Sequence, residues 1–398
     1  MRKGALVSII LILSLLAVAC GDDGPEGVEV DDILPAAHWE EEYPDQYETY
    51  MLNLEMEGTT FGGSEPIDYP EEYPYLQTLY AGNGFANDYI RARGHPYSLE
   101  DVIHIDRPKP GASCLSCKTP EYVGLLNEHG SEAATMDFHE AAEIAVSPVS
   151  CFDCHGNEPG EILITRTHLE DALENVEEEM AMGNLVCAQC HVEYFLDSDT
   201  LEVVLPWENG INAWDIEEAT IERGHVDWVH PQTGTELLKV QHPEFETYMG
   251  SIHDRVGVTC VDCHLPEMEN DEGDIFHSHH VTSPLKYVEA SCLGCHQETE
   301  EELIARTEAI QEDVYVKKNE IAELLVDLVE EFEEALEADE LSDEEIEEAR
   351  LYHQRAMWRW DFVFVENSTG FHNSEFAHTI LDEARDYTEQ ALEIIRNR

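Results

Sequence analysis

The chain has 398 residues, and 42% of them are hydrophobic, which is the content of a globular protein with its own core. It carries 21 Lys and Arg against 87 Asp and Glu, a formal net charge of −66. Because so negative a protein repels a phosphate backbone, this composition excludes nucleic-acid binding. Salt relieves such self-repulsion by shortening the Debye length to about 3 Å at 1 M. The charge therefore predicts a halophilic or haloalkaliphilic source.

The N-terminal segment has the organisation of an export signal. Arg2 and Lys3 precede an apolar run that ends in small residues before Cys20, which is typical of a signal peptide rather than a membrane-spanning helix. The sequence AVAC at positions 17–20 resembles a bacterial lipoprotein processing site, so we expect residues 1–20 to be a lipoprotein-type signal; an ordinary cleaved signal is the alternative. A lipidated Cys20 would hold the protein at the periplasmic or extracytoplasmic face of the cell membrane. The acidic residues 21–50 are then predicted to form a solvated tether.

Five C-x-x-C pairs follow, and they use every cysteine after Cys20. The first pair is followed by lysine and the other four by histidine: Cys114 and Cys117 with Lys118, Cys151 and Cys154 with His155, Cys187 and Cys190 with His191, Cys260 and Cys263 with His264, and Cys292 and Cys295 with His296. In C-x-x-C-H both thiols bond to a haem and the histidine coordinates its iron. The pattern predicts five covalently bound c-type haems. Zinc knuckles and disulfides explain it less well, because zinc sites combine two pairs and a two-residue gap is seldom a structural disulfide.

The lysine motif indicates where catalysis would occur. A haem with two histidine ligands can only pass electrons, whereas a catalytic haem needs an open face. Four histidine motifs would need four further histidines as second ligands, and the chain has 20 histidines in total. The residues alone leave open which four these are.

The C-terminal quarter has a different pattern from the rest. Up to about residue 298, Gly, Pro and the motifs interrupt the chain, which predicts short helices, few strands and a core made of haems. From about residue 299, apolar residues recur at steps of three and four, as in a long amphipathic helix. Ser342 and Glu345 form a capping box for a second helix, and a third is predicted over residues 374–396. We therefore predict a mainly α multihaem cytochrome c, with one catalytic domain at 51–398 and a bundle of long helices at about 299–398.

Several segments together resemble a known family. They are RGHPYSLEDV at 93–102, CLSCK at 114–118, CAQCHVEY at 187–194, LKVQHPEFET at 238–247, SIHDRVGVTCVDCH at 251–264, WRWDF at 358–362 and GFHN at 370–373. They resemble the pentahaem cytochrome c nitrite reductases of the ammonia-forming type, over nearly all of the chain from about residue 70. A first lysine motif followed by four histidine motifs is highly specific to that family.

The resemblance implies a set of ligands and active-site residues. Lys118 would be the proximal ligand of the active-site haem, with Arg107, Tyr194 and His242 at its open face. The implied histidine pairs are His95 with His191, His253 with His296, His279 with His155, and His372 with His264. Because His277 and His280 flank His279, a shift of register there would change that ligand. The implied calcium ligands are Glu193 and Gln241 through their side chains, and Tyr194 and Lys239 through their carbonyl groups.

The resemblance also implies a function and partners. The activity would be the six-electron reduction of nitrite to ammonium by a dissimilatory nitrite reductase, with four bis-histidine haems relaying electrons. A guanidinium and an imidazole suit the holding of an anion and the delivery of protons, and calcium would add positive charge beside the site. The implied partners are a second copy of the chain, bound through the long helices, and a membrane quinol-oxidising multihaem cytochrome as electron donor. The alternatives are a non-catalytic electron-transfer protein and a multihaem reductase of hydroxylamine or sulfite.

Overall fold

The computed structural model describes residues 27–177 and 179–397. The predicted signal peptide, Cys20 and the first residues of the predicted tether lie outside the described residues. The described chain is mainly helical, as the sequence predicts. The helices are α1 Pro44–Met51, α2 Tyr69–Glu72, α3 Leu76–Leu79, α4 Ser98–His104, α5 Glu121–His129, α6 Phe138–Ile144, α7 Cys151–His155, α8 Thr167–Leu173, α9 Met182–Ala188, α10 Ala213–Glu222, α11 Glu244–Tyr248, α12 Ile252–Arg255, α13 Cys260–His264, α14 Val288–Ser291, α15 Glu300–Glu337, α16 Asp343–Phe364 and α17 Ser374–Arg396.

Strands make up a small part of the fold. Within residues 27–177 and 179–397 they form three antiparallel two-stranded hairpins. The pairs are β1 Phe195–Leu196 with β2 Val203–Val204, β3 Trp228–Val229 with β4 Glu236–Leu237, and β5 Glu267–Glu269 with β6 Ile275–His277. Further short 3-10 helices lie at Val30–Asp32, Ala36–Trp39, Leu52–Leu54, Gly84–Asp88, His95–Tyr97, Ala112–Leu115, Gly130–Thr135 and Pro284–Lys286.

The three long C-terminal helices confirm the bundle predicted for residues 299–398. The Ser342 capping box starts α16, and Thr299 forms a second capping box at the start of α15. The helix α17 packs against both α16 and α15. Its amphipathic face meets a core that includes Leu325 of α15 and Trp360 of α16, both fully buried. The bundle is thus held together by ordinary apolar packing.

The part of the chain that carries the motifs is organised around a cavity instead. The cavity has a volume of about 1950 Å³, and all ten motif cysteines line it. A smaller apolar cluster that includes Leu99, Leu115, Leu125 and Phe138 packs beneath the lysine motif. Side chains therefore support the motifs from outside, while the space between the motifs is large enough to hold cofactors.

The predicted tether needs a correction. Its described part is packed on the domain, with α1 beginning at Pro44. The hydroxyl of Tyr43 donates to Pro159 O at 3.1 Å, and that of Tyr50 donates to Val149 O at 3.0 Å. The prediction gave weight to the acidic residues of this segment, whereas tyrosine hydroxyls and main-chain groups, such as Val30 N and Leu34 N, attach it to the domain.

Candidate functional site

The lysine motif sits at the end of a short 3-10 helix that is anchored in the small apolar cluster. Ala112 and Leu115 are fully buried there. Lys118 follows in a turn, with its N–H donating to Leu115 O at 2.9 Å. The hydroxyl of Ser98, at the start of α4, donates to Lys118 O at 2.8 Å. Lys118 and both cysteines of its motif line the large cavity.

Two of the histidine motifs form complete short helices. Cys151–His155 is α7 and Cys260–His264 is α13, and each begins at a capping box. The motif at Cys187 starts at the end of α9, and the motif at Cys292 directly follows α14. The histidines of all four motifs line the cavity that also receives Lys118.

The eight histidines that the resemblance assigns to bis-histidine haems face each other in pairs. The ring centroids are 6.3 Å apart for His95 and His191, 6.2 Å for His155 and His279, 6.3 Å for His253 and His296, and 6.3 Å for His264 and His372. An imidazole nitrogen binds a transition metal at about 2 Å, so two rings on opposite sides of one ion have centroids about 6 Å apart. The spacing of these pairs therefore fits an iron atom between the two rings of each.

The other ring nitrogen of several of these histidines is held by an acceptor. His155 Nδ1 lies 2.6 Å from Glu161 O, and His264 Nδ1 lies 2.9 Å from Thr282 O. His372 Nδ1 lies 2.7 Å from a carboxylate oxygen of Glu366, an ion-pair contact without the geometry of a hydrogen bond. Such contacts fix the ring and leave Nε2 available for a metal, as is usual around metal-bound histidine.

The positions of the rings indicate which histidine of residues 277–280 faces His155. His279 places its ring opposite His155, with its own Nδ1 2.9 Å from His277 O. His277 directs Nδ1 to Leu265 O at 2.8 Å, and His280 directs Nδ1 to the Tyr287 hydroxyl at 2.7 Å. The arrangement favours His279 as the partner of His155.

His191 has a second ring neighbour. Its centroid is 6.3 Å from that of His242 as well as from that of His95. The ring separations therefore do not show whether His95 or His242 would share an iron atom with His191. The resemblance implies His95, because it places His242 at the open face of the neighbouring haem.

Arg107, Tyr194 and His242 all line the large cavity that Lys118 also lines. Burial raises the pKa of Tyr194, nearby Cys117 and Cys114 raise it further, and Arg107 opposes them. Burial lowers the pKa of His242 to about 4, and Lys118 is among the groups that contribute to the lowering.

Two buried nitrogen atoms at this face have no protein partner. Among the described residues, neither Arg107 Nε nor His242 Nδ1 has a hydrogen-bond partner. Unpaired buried polar atoms are uncommon in folded proteins and call for an explanation such as a ligand. An anion bound in the cavity would supply an acceptor for both.

The residues implied for calcium lie together. Glu193 is buried, and its Oε2 accepts from Gln241 N at 2.5 Å. The Gln241 side-chain amide reaches Lys239 O at 3.3 Å, and Tyr194 is the neighbour of Glu193 in sequence. Burial raises the pKa of Glu193 well above its ordinary value, and Glu246 raises it further. A cation here would relieve this concentration of negative charge.

Calcium ligation would involve main-chain carbonyl groups as well as side chains. In the part of the chain that the structure describes, no group of three or more His, Cys, Asp or Glu side chains is placed to hold a metal ion. The implied set contains only one carboxylate, that of Glu193. Its other donors are one amide and two carbonyl oxygens, which are ligands that calcium accepts.

Two buried acidic residues next to this site, Asp361 and Glu246, were assigned no role from the sequence. Asp361 accepts from Lys239 Nζ at 2.9 Å and from Val240 N at 3.0 Å. Glu246 accepts from Glu193 N at 3.0 Å, and burial raises its pKa to about 8. Both lie within segments that carried the resemblance, WRWDF and LKVQHPEFET, but their partners are distant in sequence.

Over residues 27–177 and 179–397, no helix combines the length and the apolar character needed to cross a membrane.

Comparison with known proteins gives a consistent result. The model of the family described as cytochrome c552 matches residues 35–398. The cytochrome c-552 of Bacteroides fragilis strain YCH46 is 32% identical over 376 residues, which cover 88% of this chain and 74% of the relative. The cytochrome c nitrite reductase subunit NrfA of Nitratidesulfovibrio vulgaris is 32% identical over 403 residues, covering 89% and 76% respectively.

A solved structure is also similar over most of the chain. It is the catalytic subunit of cytochrome c nitrite reductase from Desulfovibrio desulfuricans, which is described as having two calcium sites. It superimposes with a TM-score of 0.85 at 29% identity, covering 91% of this chain and 86% of that subunit. The resemblance inferred from the motifs and the mainly helical fold are both confirmed.

Proposed function

Because the chain belongs to the cytochrome c552 family, we propose that it reduces nitrite to ammonium at the haem attached to Cys114 and Cys117. It is an oxidoreductase of the cytochrome c nitrite reductase type. One observation carries the more specific proposal. The only C-x-x-C motif of the sequence that ends in lysine shares its cavity with the unpaired Arg107 Nε and His242 Nδ1 atoms.

The proposed cofactors are five c-type haems, one for each motif. Lys118 would hold the active-site haem, and the four facing histidine pairs would hold the other four. When bound, the haems would relay the six electrons of the reaction from an external donor and would provide one iron with an open position. The cavity volume of about 1950 Å³ and its lining by every motif cysteine support five groups packed in one space.

The three side chains at the open face have distinct roles. The Arg107 guanidinium is a charged, multiple donor, and its free Nε can hold an oxygen of the anion. Tyr194 stays protonated because burial raises its pKa, so the phenol can donate a hydrogen bond. His242 is neutral near pH 7, since its pKa is lowered to about 4. It can therefore accept a proton at one nitrogen while donating at the other.

Calcium is proposed for the neighbouring site. Its ligands would be the Glu193 carboxylate, the Gln241 amide oxygen, and the carbonyl oxygens of Tyr194 and Lys239. Tyr194 would then link the ion to the open face directly. In a chain of net charge −66, a fixed dication beside the haem would favour the approach of an anionic substrate.

The proposed setting of the enzyme follows from the sequence. We propose a homodimer formed through the long C-terminal helices, attached to the extracytoplasmic face of the membrane by lipidated Cys20. A membrane quinol-oxidising multihaem cytochrome would deliver the electrons. Sedimentation analysis and mass spectrometry of the mature N-terminus would test the dimer and the lipid separately.

Ammonium production from nitrite with a reduced dye tests the function. Wild type loaded with all five haems should form ammonium, and Lys118→His should form much less. Lys317→His is a matched control, because Lys317 lies on α15 and pairs with Asp382 at 2.7 Å, away from the motifs. Absence of ammonium from fully loaded wild type would overturn the proposal. A Lys118→His variant as active as wild type would remove the special role of Lys118.

Two further measurements separate the alternatives. A purely electron-transferring protein would have only six-coordinate, low-spin iron, whereas an open haem gives a high-spin signal in the oxidised state. Parallel assays with hydroxylamine and sulfite would identify a different preferred substrate. A faster reaction with sulfite than with nitrite would contradict the proposal.

A further inference from the structure

Arg166 binds the chain on both sides of Lys118. It precedes α8, and its side chain is buried, with the residue only 1% exposed. Its Nε donates to Ser116 O at 2.6 Å, and its Nη2 donates to Thr119 O at 3.3 Å. These two carbonyl groups belong to residues that lie two positions before and one position after Lys118.

The same side chain is tied to the next motif. Its Nη2 forms a buried ion pair with Asp153 of the Cys151 motif, and its Nη1 donates to Thr165 Oγ1 at 2.8 Å. Asp153 in turn caps α7, because one of its carboxylate oxygens accepts from Ser150 N at 2.7 Å. The guanidinium therefore connects the lysine motif to the helix that carries a histidine ligand.

A third motif joins the network through the main chain of the same segment. Gln189 Oε1 accepts from Thr165 N at 2.5 Å and from Arg166 N at 3.2 Å. Ser116, Asp153 and Gln189 occupy the same place in three successive motifs, immediately before the second cysteine. One buried dipeptide, Thr165 and Arg166, thus contacts the equivalent position of all three.

The lysine motif needs such external support more than α7 or α13 does. In those two motifs the histidine ends a short capped helix, whose own hydrogen bonds fix the main chain. Lys118 instead follows a 3-10 helix in a turn. A lysine side chain is also long and flexible, so its amine is placed accurately only if its main chain is fixed.

We propose that Arg166 is a positioning residue for Lys118, and that it sets the geometry at the lysine-ligated haem by fixing the Ser116 and Thr119 carbonyl groups. The inference rests on the proposed ligation of that haem by Lys118. Arg166 has no contact with substrate in this scheme. It acts through the main chain, in the way that residues behind metal ligands commonly do.

Arg166→Lys is the direct test, because it keeps the positive charge and loses the planar fork that reaches four acceptors. The variant should retain five haems and the potentials of the bis-histidine haems. The high-spin signal and the reduction potential of the lysine-ligated haem should change. Since small misplacements of reacting groups are costly, kcat should fall by about 10- to 100-fold with little change in KM.

Arg359→Lys is the matched control. Arg359 of α16 is also buried, and it pairs with Glu217 of α10 at 2.8 Å and with Glu383 of α17 at 2.7 Å. The Arg359→Lys variant should have a lower unfolding temperature than wild type and an unaltered lysine-ligated haem. If both variants lose stability equally and neither changes that haem's signal, Arg166 is only structural and the inference is overturned.

A second variant, which keeps Arg166 itself, covers the case in which Arg166→Lys fails to fold. Asp153→Asn keeps an acceptor for the guanidinium but removes the charge that anchors it, so a smaller change in the same signal is expected. An unchanged lysine-ligated haem in a folded Asp153→Asn protein would also overturn the inference. Failure of the proposed function looks different, because wild type itself would then form no ammonium from nitrite, whereas failure of this inference leaves wild-type activity intact.

Discussion

Lys239 and Asp361 form a buried ion pair that joins the segment preceding His242 to α16. Lys239 Nζ lies 2.9 Å from Asp361 Oδ2, and the two side chains are 6% and 0% exposed. Asp361 also accepts from Val240 N at 3.0 Å and from the Tyr80 hydroxyl. The pair fixes the main chain of Lys239, whose carbonyl oxygen is one of the proposed calcium ligands.

Removing the charge of Asp361 should therefore weaken both the fold and the calcium site. We expect Asp361→Asn to lower the free energy of unfolding by about 3–5 kcal/mol, because it leaves a buried ammonium without its counter-ion. Denaturant unfolding measures the loss, and metal analysis after dialysis measures retained calcium. Glu320→Gln is the control: its pair with Arg385 is exposed and should contribute about 1 kcal/mol or less. Equal losses in the two variants would contradict the role given to the buried pair.

The ion pair of Lys239 and Asp361 also illustrates which features the sequence could predict and which it could not. Apolar periodicity and the Ser342 capping box are local signals, and they predicted the long helix α15 and the start of α16 correctly. The five motifs are local too. Asp361 and Lys239, by contrast, lie 122 positions apart, and nothing near either residue indicates the other. The acidic composition of residues 27–50 was misleading because Tyr43 and Tyr50 find their partners beyond position 140.

The histidine pairs are intermediate between features that have a local sequence signal and contacts that have none. A surplus of histidine leaves the second ligands undetermined, and the pairs came from family resemblance. Their ring spacing in the structure is independent of that argument, because each pair brings together two segments that are distant in sequence. The network around Arg166 had no sequence signal at all, since its acceptors are mostly main-chain carbonyl groups.

Arg107 should act mainly on substrate binding. Arg107→Lys keeps the charge but loses the free Nε donor, and a hydrogen bond to a charged group is worth about 1.5–3 kcal/mol. We expect kcat/KM for nitrite to fall by about 10- to 100-fold, chiefly through a higher KM. Steady-state kinetics with a reduced dye would measure it. Arg396→Lys, at the exposed end of α17, should leave both constants unchanged; an unaltered KM in Arg107→Lys would exclude the proposed role.

His242 should act on proton delivery instead. His242→Asn keeps a polar group at the open face but removes a base that titrates, so we expect kcat to fall by about 10²- to 10⁴-fold. KM should change much less than in Arg107→Lys. His129→Gln, at a half-exposed position at the end of α5, is the control. A variant that changes KM alone would show that His242 binds the anion rather than moving protons.

Calcium removal should affect nitrite more than an uncharged substrate. Chelation removes the dication beside the open face, and Glu193→Gln removes the only carboxylate proposed to hold it, so both take away a positive charge that attracts an anion over several ångströms. We expect kcat/KM for nitrite to fall several-fold more than kcat/KM for neutral hydroxylamine, and added Ca²⁺ to restore the chelated wild type but not Glu193→Gln. Equal effects on both substrates would indicate that the ion holds the structure together and does not act through its charge.

A buried histidine outside the haem region should make stability depend on pH. His353 is 0% exposed, its Nδ1 lies 3.0 Å from Thr235 Oγ1, and burial lowers its pKa from 6.5 to about 3. The unfolded chain therefore binds more protons than the folded chain between these values. The contribution of His353 to stability is complete above about pH 6.5 and decreases by roughly 1.4 kcal/mol per pH unit below it. His353→Gln should show a shallower acid loss than wild type in denaturant unfolding, and identical slopes would contradict the prediction.

Salt should stabilise the protein because of its net charge of −66. Like charges occur at neighbouring positions even within one helix: Glu330 and Glu334 are exposed and four residues apart on α15, a spacing that brings them side by side. Raising the ionic strength from 0.01 to 1 M shortens the Debye length from about 30 to about 3 Å. We expect the unfolding temperature to rise with NaCl concentration and to rise less with sucrose at equal osmolality, because only the salt screens charge. Glu334→Lys should raise the unfolding temperature in dilute buffer and reduce its dependence on NaCl. An unfolding temperature that is the same in dilute buffer and in molar NaCl would exclude adaptation to a saline environment.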